Sequence, residues 1–225
     1  MISVIIPTLN AQAHLPRCFA ALVPAVIDGL IREVIVVDGG SADLTEKIAD
    51  EAGAHFIVTS PGRGGQLAAG AAIARQPFML FLHADCVLEP GYEHAVTQFI
   101  STAFAQEQAG YFKFALDDLS ATAKRLEWMV ALRCGLFNLP YGDQGLLISR
   151  RLYTEIGGYP EIPLMEDVAI ARKLGRRLVP LRGIATTSAI RFVANGYWRQ
   201  SWRNLFLLLL YFAGASPHRL ARLYR

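Results

Sequence analysis

The chain of 225 residues has little cysteine and little charge. Its three cysteines, Cys18, Cys86 and Cys134, are widely spaced without a C-x-x-C pair, so neither a disulfide framework nor a zinc finger is predicted, and a reducing cytosol is expected. The apolar N-terminus follows no basic segment, so we predict no signal peptide and a cytoplasmic protein. Because hydrophobic residues make up 53% of the chain and charged residues 18%, intrinsic disorder is excluded.

Several common enzyme signatures are also missing. The first apolar run is followed by Pro-Thr-Leu-Asn at residues 7–10, with neither G-x-G-x-x-G nor a Walker loop. The chain also has no G-x-S-x-G nucleophile elbow. Dinucleotide-binding, P-loop and α/β-hydrolase chemistries are therefore excluded.

Acidic residues are missing from the last quarter of the chain. Residues 1–167 contain all 19 acids and 11 Lys or Arg, a balance of −8, whereas residues 168–225 contain 11 Lys or Arg and no acid, a balance of +11. This asymmetry favours an anionic partner, which is a phosphorylated substrate, a membrane surface or nucleic acid. An ordinary basic surface is the alternative.

The first half alternates short apolar runs with helical patterns. Continuous apolar runs separated by helices are typical of a parallel sheet covered on both faces, so the predicted class is α/β. Ser41 is typical of a helix N-cap. The predicted strands are 3–6, 34–37, 55–58 and 78–82, with 110–116 as an antiparallel or mixed strand, and the predicted helices are 14–22, 66–75, 93–104, 121–132, 166–174 and 202–213.

Two carboxylates follow predicted strands. Ligands bind at the carboxyl ends of parallel strands, where Asp38 and Asp85 stand. Asp38 suits a ribose hydroxyl, while Asp85 with the neighbouring His83 suits a divalent cation. Each acid alone is equally consistent with a turn former.

Three further segments combine glycines or acids with a predicted helix or loop. Arg63 lies in a glycine-rich turn before a helix, which suits phosphate, with a flexible surface turn as the alternative. Asp143 stands between glycines in Tyr141–Gly145, which suits the close approach of a polar ligand. Glu166 and Asp167 open a helix, where a carboxylate serves either as a general base or as a partner of the helix dipole.

Taken together, these motifs resemble the inverting family 2 glycosyltransferases of the GT-A fold. The resemblance implies a Rossmann-like, mostly parallel sheet with helices on both faces, plus a mixed half that binds the acceptor. The stretches at 61–66, 140–145 and 163–167 are most similar to a small bacterial subgroup named for arsenosugar biosynthesis. The matching motifs are Val4–Asn10, Val37–Asp43, Gly62–Ala71, His83–Asp85, Gly142–Gly145 and Glu166–Asp167.

The resemblance also implies one domain and a set of roles. Residues 1–92 would bind the nucleotide sugar, 93–200 would hold the acceptor and the catalytic base, and 201–225 would form an apolar and basic C-terminal helix. His83 departs from the family's usual Asp-x-Asp metal motif by replacing its first acid, and imidazole tolerates Mn²⁺ better than Mg²⁺. The implied roles are donor binding by Thr8, Asp38 and Arg63, metal binding by Asp85 and His83, acceptor binding by Asp143 and Gln144, and catalysis by Asp167 as base with Glu166 in support.

The implied reaction moves a sugar from a nucleotide-diphosphate sugar, with UDP favoured, to an acceptor hydroxyl. The reaction inverts the anomeric carbon and uses Mn²⁺ or Mg²⁺. Two alternatives remain: a nucleotidyltransferase acting on a sugar phosphate, and a membrane-associated binding protein without catalysis. Nucleic acid is not among the predicted partners.

The C-terminal apolar segment allows two interpretations. Residues 205–215 are uncharged, but 11 residues are too few to span a bilayer, which needs ~20. Trp198, Trp202 and several Arg flank the segment, which suits peripheral contact with the inner face of an anionic membrane and a lipid-linked acceptor. A core helix packed against the sheet is the alternative.

Overall fold

The computed structural model describes residues 1–224. An eight-stranded mixed sheet runs through it in the order β3-β2-β1-β4-β7-β6-β8-β5. The strands are β1 Ile2–Thr8, β2 Ile31–Asp38, β3 His55–Val58, β4 Phe78–Phe81, β5 Cys86–Leu88, β6 Ala109–Leu116, β7 Leu146–Ser149 and β8 Leu178–Thr187. Strands β1 to β4 are parallel to one another, and β6 is parallel to β8, whereas β7 is antiparallel to β4 and β6, and β5 is antiparallel to β8.

Helices connect these strands, and short 3-10 turns lie at Gly142–Gln144 and Gly175–Arg177. The helices are α1 Leu15–Ile27, α2 Thr45–Glu51, α3 Arg63–Ile73, α4 Tyr92–Ile100, α5 Ala121–Phe137, α6 Arg150–Glu155, α7 Glu166–Leu174, α8 Ile190–Asn195, α9 Tyr197–Phe212 and α10 Pro217–Tyr224. Within residues 1–224, none of the helices has the length and hydrophobicity that crossing a membrane requires.

The sheet is covered on both faces, as the continuous apolar strands predict. Neighbouring side chains of a strand point to opposite faces. Ile5 of β1 packs in a cluster with Leu67 of α3, whereas Val4 and Ile6 belong to a second cluster that includes Leu15 of α1. Because both faces are buried, most positions of such a strand are apolar, and the polar Ser3 of β1 is buried as well.

Three strands were not predicted from the sequence. β5 has only three residues, too few to show a pattern, and the four residues of β7 directly follow the glycine-rich loop interpreted above as a binding segment. β8 contains Pro180, which normally argues against a strand, but the pairing with β6 shifts register between Tyr111 and Lys113 and so tolerates the missing N–H.

The predicted cap at Ser41 is wrong. Helix α2 begins at Thr45, and the Ser41 hydroxyl instead donates to Asp38 at 2.6 Å. Because the carboxylate of Asp38 binds the N–H and the hydroxyl of Ser41, Ser41 does not cap the helix, which begins four residues later. Helix α9 begins at Tyr197 rather than Trp202, and α5 continues to Phe137 rather than ending at Leu132.

Gln66 fixes helix α3 at the carboxyl ends of β1 and β2. Its buried amide donates to the carbonyls of Thr8 at 2.8 Å and Val37 at 2.7 Å. This single side chain satisfies two carbonyls at the sheet edge and sets the height of the first turn of α3. Arg63, at the start of α3, is thereby held at the edge of the sheet.

Gly64 lets α3 approach the loop before α7. A Cβ at this position would lie 2.2 Å from the carbonyl oxygen of Pro160 and 2.9 Å from that of Ile162. Real Cβ atoms do not come this close to backbone, so the packing requires glycine.

We expect Gly64→Ala to destabilise the protein, although alanine ordinarily improves a helix over glycine by about 0.5–1 kcal/mol. The clash with the loop costs roughly 1–3 kcal/mol, so the midpoint of urea unfolding should fall with an unchanged slope. Gly65→Ala is the matched control, because a Cβ there meets open space, and its midpoint should hold or rise. An unchanged midpoint for Gly64→Ala would contradict the packing.

Candidate active site

Two adjoining cavities open at the carboxyl ends of the parallel strands. The β1 cavity, of about 460 Å³, is lined by Thr8 and the residues around it. The α7 cavity, of about 150 Å³, is lined by Asp143 and Asp167. The polar residues that line both are Arg63, His83, Asp85, Glu166, Arg191 and Tyr224.

Thr8 and Asp38 form a hydrogen-bonded pair behind the β1 cavity. The Thr8 hydroxyl donates to Asp38 at 2.8 Å, and Asp38 also accepts from the backbone N–H groups of Gly40 and Ser41. Burial alone would raise the pKa of Asp38, but these hydrogen bonds outweigh it and hold the pKa below its ordinary value. Asp38 is therefore ionised and only 2% exposed, so it orients Thr8 and the 38–41 loop.

An ion pair joins α3 to α7. Nη1 of Arg63 donates to Oε1 of Glu166 at 3.3 Å, and the Glu166 side chain is 2% exposed while that of Arg63 is 39% exposed. Burial raises the pKa of Glu166, Arg63 opposes that shift, and the charge of Asp167 adds to it. The pair leaves part of the guanidinium facing the cavities.

The turn after β4 places His83 and Asp85 on the wall between the cavities. The N–H of Cys86 donates to the carbonyl of His83 at 3.1 Å, which closes the turn. Burial next to Arg63 lowers the pKa of His83 to about 4, and Asp85 and Asp167 oppose this only in part. The imidazole is therefore neutral near pH 7 and keeps a lone pair for a ligand.

Asp167 is anchored by two backbone groups at the start of α7. Its Oδ2 accepts from the N–H of Gly142 at 3.1 Å and its Oδ1 accepts from the N–H of Val168 at 2.7 Å. Met165, with φ of 67°, lies in the left-handed region and turns the chain into the helix. Gly142 lies against His83, and a Cβ there would displace the imidazole, because it would lie 2.4 Å from Nε2.

Asp143 lines the α7 cavity with a poorly solvated carboxyl. Within residues 1–224, its Oδ1 is buried without a hydrogen-bond partner. Burial raises the pKa of Asp143 to about 6; Arg133 opposes the shift, while Asp167 and Asp85 add to it. A buried carboxyl oxygen without a hydrogen bond disfavours the ionised form of the acid, in agreement with the raised pKa of Asp143.

Gln144, the other predicted acceptor ligand, lies beneath the cavity. Its amide N–H donates to the carbonyl of Phe112 at 3.0 Å, and its Oε1 accepts from the N–H of Tyr141 and the thiol of Cys134. It is 2% exposed. The structure brings the other eight predicted site residues around the two cavities, with Asp38 behind Thr8, and assigns Gln144 to holding the 139–145 loop.

Several cavity residues were missed from the sequence. Arg191 of α8 and Tyr224 of α10 line both cavities, and Gln200 and Asn204 of α9 line the α7 cavity. The signal for Arg191 is the absence of acids from residues 168–225, which predicts that basic residues of this segment face an anion. Tyr224 carries no local sequence signal, because helix packing alone brings it to the cavity mouth.

Asp85 and His83 fit a divalent metal whose remaining ligands would come from a diphosphate. Among residues 1–224, no group of three or more His, Cys, Asp or Glu forms a complete metal cage. Mg²⁺ is bound in many phosphate-transferring sites by one or two carboxylates plus substrate phosphates, and Mn²⁺ accepts carboxylate and imidazole. One carboxylate and one neutral imidazole beside an open cavity meet that requirement.

The comparison with known families decides the class of protein. The family model described as "Glycosyl transferase family 2" matches residues 3–125, more than half of the chain. The chain belongs to this family. The family predicted from the motifs, and glycosyltransferase as the class of enzyme, are thus confirmed.

Curated relatives match parts of the chain. Glucosyl-3-phosphoglycerate synthase of Mycobacterium tuberculosis is 32% identical over an alignment of 95 positions, which covers 38% of this chain and 29% of the relative. A PGL/p-HBAD biosynthesis glycosyltransferase of Mycobacterium bovis is 28% identical over 168 residues, covering 71% of this chain and 63% of the relative. The chain thus spans less than two thirds of the length of these relatives.

Solved structures share the fold. TarS residues 1–349 of S. aureus in complex with UDP has a TM-score of 0.61 and 18% identity, covering 84% of this chain and 61% of that one. Glucosyl-3-phosphoglycerate synthase of Mycobacterium tuberculosis, in complex with Mn²⁺, UDP and glucosyl-3-phosphoglycerate, has a TM-score of 0.56 and 23% identity, covering 84% and 70%. These likenesses confirm the predicted α/β fold of the GT-A type.

We expect Asp143→Asn to stabilise the protein above pH 6, since it removes a carboxylate that folding makes harder to ionise. A carboxyl whose folded pKa is raised from 3.8 to about 6 binds more protons in the folded state, so its stability contribution falls as pH rises through that window. The advantage of the variant should therefore vanish below pH 3.8. Urea unfolding across this range measures it, with exposed Glu161→Gln as control. A difference independent of pH would contradict the assignment.

Proposed function

We propose that the chain transfers a sugar from a nucleotide-diphosphate sugar, with UDP favoured, to an acceptor hydroxyl with inversion. One observation carries this proposal: Arg63, His83 and Asp85 line the wall between the cavity at Thr8 and the cavity at Asp167. A diphosphate would lie at that wall, between a nucleoside on one side and an acceptor on the other. Membership of the family supports the reaction class, and the UDP and Mn²⁺ bound by the structural neighbours support the donor and the metal.

The β1 cavity receives the nucleoside. Its volume lies within the roughly 300–1,000 Å³ typical of small-molecule sites. Thr8 faces the nucleoside with its hydroxyl held by Asp38, so Asp38 acts on the donor through Thr8 and the shape of the 38–41 loop. Arg63, at the positive end of α3, lies where the phosphates would be.

Negative charge gathers on the nucleoside diphosphate as its bond to the anomeric carbon breaks. Arg63 is placed to stabilise this charge, and Glu166 holds the guanidinium in position before the reaction. A divalent ion held by Asp85 and the neutral His83 would supply Lewis-acid stabilisation of the same phosphates. Arg191 adds a second cation on this wall.

Asp167 is the proposed general base. The acceptor oxygen forms its bond to the anomeric carbon from the face opposite the leaving diphosphate, and its proton passes to the Asp167 carboxylate. The Gly142 and Val168 N–H groups fix the carboxylate while leaving its other lone pairs free for the acceptor. Asp143, which lines the same cavity, is the proposed ligand of the acceptor, and the product sugar is inverted.

The further sequence predictions on domains, location and acceptor remain open. The division at residues 92 and 200, a cytoplasmic location and a lipid-linked acceptor each stay a prediction. Contact with an anionic membrane surface also stays a prediction at this point.

We expect UDP with Mn²⁺ to raise the melting temperature of the wild-type protein more than UDP alone, because a specific ligand stabilises the folded state by mass action. Asp85→Ala should lose the metal-dependent part of this shift and most transfer activity. Asp50→Ala, on an exposed position of α2, is the control and should keep the full shift. A panel of nucleoside diphosphates without any stabilising member would contradict the proposed donor, and an unchanged Mn²⁺ response in Asp85→Ala would contradict the metal site.

We expect Asp167→Asn to lower kcat by roughly 10²–10⁴-fold, since the amide cannot accept the acceptor proton. Its oxygen can still accept from the Gly142 N–H, so the loop and the UDP-induced melting shift should be unchanged. Glu161→Gln, an exposed acid in the preceding loop, is the matched control and should retain activity. Full activity of Asp167→Asn would move the base to Asp143 or Glu166.

A further inference from the structure

Helix α9 has two different faces. Gln200, Leu207 and Leu208 are buried against the rest of the protein. The side chains on the opposite face recur at spacings of three and four residues, so they form one stripe along the helix. This outer stripe is apolar and exposed, with Trp198 at 59% and Trp202 at 65%, and consists of Trp198, Trp202, Leu205, Phe206, Leu209 and Phe212. The core-helix interpretation therefore accounts for the inner face alone.

Helix α5, which contacts α9, presents a second exposed apolar stripe. Trp128 is 65% exposed and Leu136 64% exposed, with Leu132 between them on the same face. The two helices are in contact, and the hydroxyl of Tyr197 at the start of α9 donates to Asp118 just before α5. Exposed apolar side chains clustered in this way on one protein mark an interaction site.

The charges around the two stripes are mostly positive, although Asp117 and Asp118 precede α5 and Lys124 is paired with Glu127. Arg199 lies beside the stripe of α9, and Lys124 and Arg125 lie at the first turns of α5. The nearest acid of α5, Glu127, is mostly buried and already paired with Lys124 at 3.0 Å. Helix α10, which packs on α9, adds exposed Arg219 and Arg222.

A bilayer surface carrying anionic lipid matches both properties. Trp, Phe and Leu on one helix face with Arg and Lys beside them are typical of helices that lie in the headgroup region. A second copy of the chain fits less well, because a two-fold contact brings the same patch together and would place the basic residues against one another.

From these observations we propose that the outer faces of α5 and α9, named here the α5/α9 face, dock the protein on an anionic phospholipid membrane. The inner face of α9 supplies Gln200 and Asn204 to the α7 cavity, so docking would hold that cavity next to the lipid surface. The membrane contact itself does not depend on the proposed transfer reaction.

The test is cosedimentation of the full chain with vesicles, without nucleotide or metal. The wild type should pellet with vesicles of phosphatidylglycerol and phosphatidylcholine, and less with phosphatidylcholine alone or at raised salt. The double variant Trp202→Gln/Leu209→Gln should bind at least about tenfold more weakly, because it removes apolar contact with the bilayer. Arg125→Gln/Arg199→Gln should lose the preference for anionic lipid.

The matched control is Ile27→Gln/Val58→Gln, which removes equally exposed apolar side chains from α1 and β3 and should bind as the wild type does. All variants should keep the UDP-induced melting shift, which separates failure of docking from failure of the proposed function. A wild type that stays in the supernatant with both kinds of vesicle overturns the proposal, as does undiminished binding by Trp202→Gln/Leu209→Gln. Should sedimentation velocity show a dimer that this variant dissociates, without vesicle binding, the face is a self-association surface instead.

Discussion

The ion pair between Arg63 and Glu166 joins parts of the chain that are 103 residues apart. Arg63 begins α3 in the parallel half of the sheet, and Glu166 begins α7 after the antiparallel strands. A nearly fully buried carboxylate is costly to leave alone, so the pair holds both helix starts in one arrangement. The two cavities meet at this pair, and their common wall is built around it.

Charge around the wall is divided in a way that serves anion binding. Burial raises the pKa of Asp143, which makes its negative charge less favourable, and leaves His83 neutral, so that its ring nitrogen can bind a metal. Asp38 is kept ionised by hydrogen bonds, but it is buried behind Thr8. The positive side chains Arg63 and Arg191 are the ones that face both cavities.

Much of this site could be predicted because its residues follow strong local patterns. Strands β1 to β4 are continuous apolar runs, and α7 lies at 166–174 as predicted, since its acids mark the start. The half of the sheet that was predicted less well depends on long-range strand pairing. Pro180 is accepted in β8 only because the register of β6 shifts beside it. The family resemblance implies that Gln144 binds the acceptor, and only the structure shows its amide used by Phe112 and Tyr141. Likewise, an apolar segment does not reveal which of its faces is buried, as α9 demonstrates.

Met165 has a strained backbone conformation that helps to order the start of α7. A left-handed conformation costs a residue with a side chain roughly 1–2 kcal/mol, and glycine at this position would remove that cost. Glycine would also widen the range of backbone angles open to the residue just before Glu166 and Asp167. The methionine side chain packs against the core, so the strained turn has one way to fold. The two carboxylates are thus preorganised before a substrate arrives, and the entropy of placing them is lost during folding rather than in each catalytic cycle.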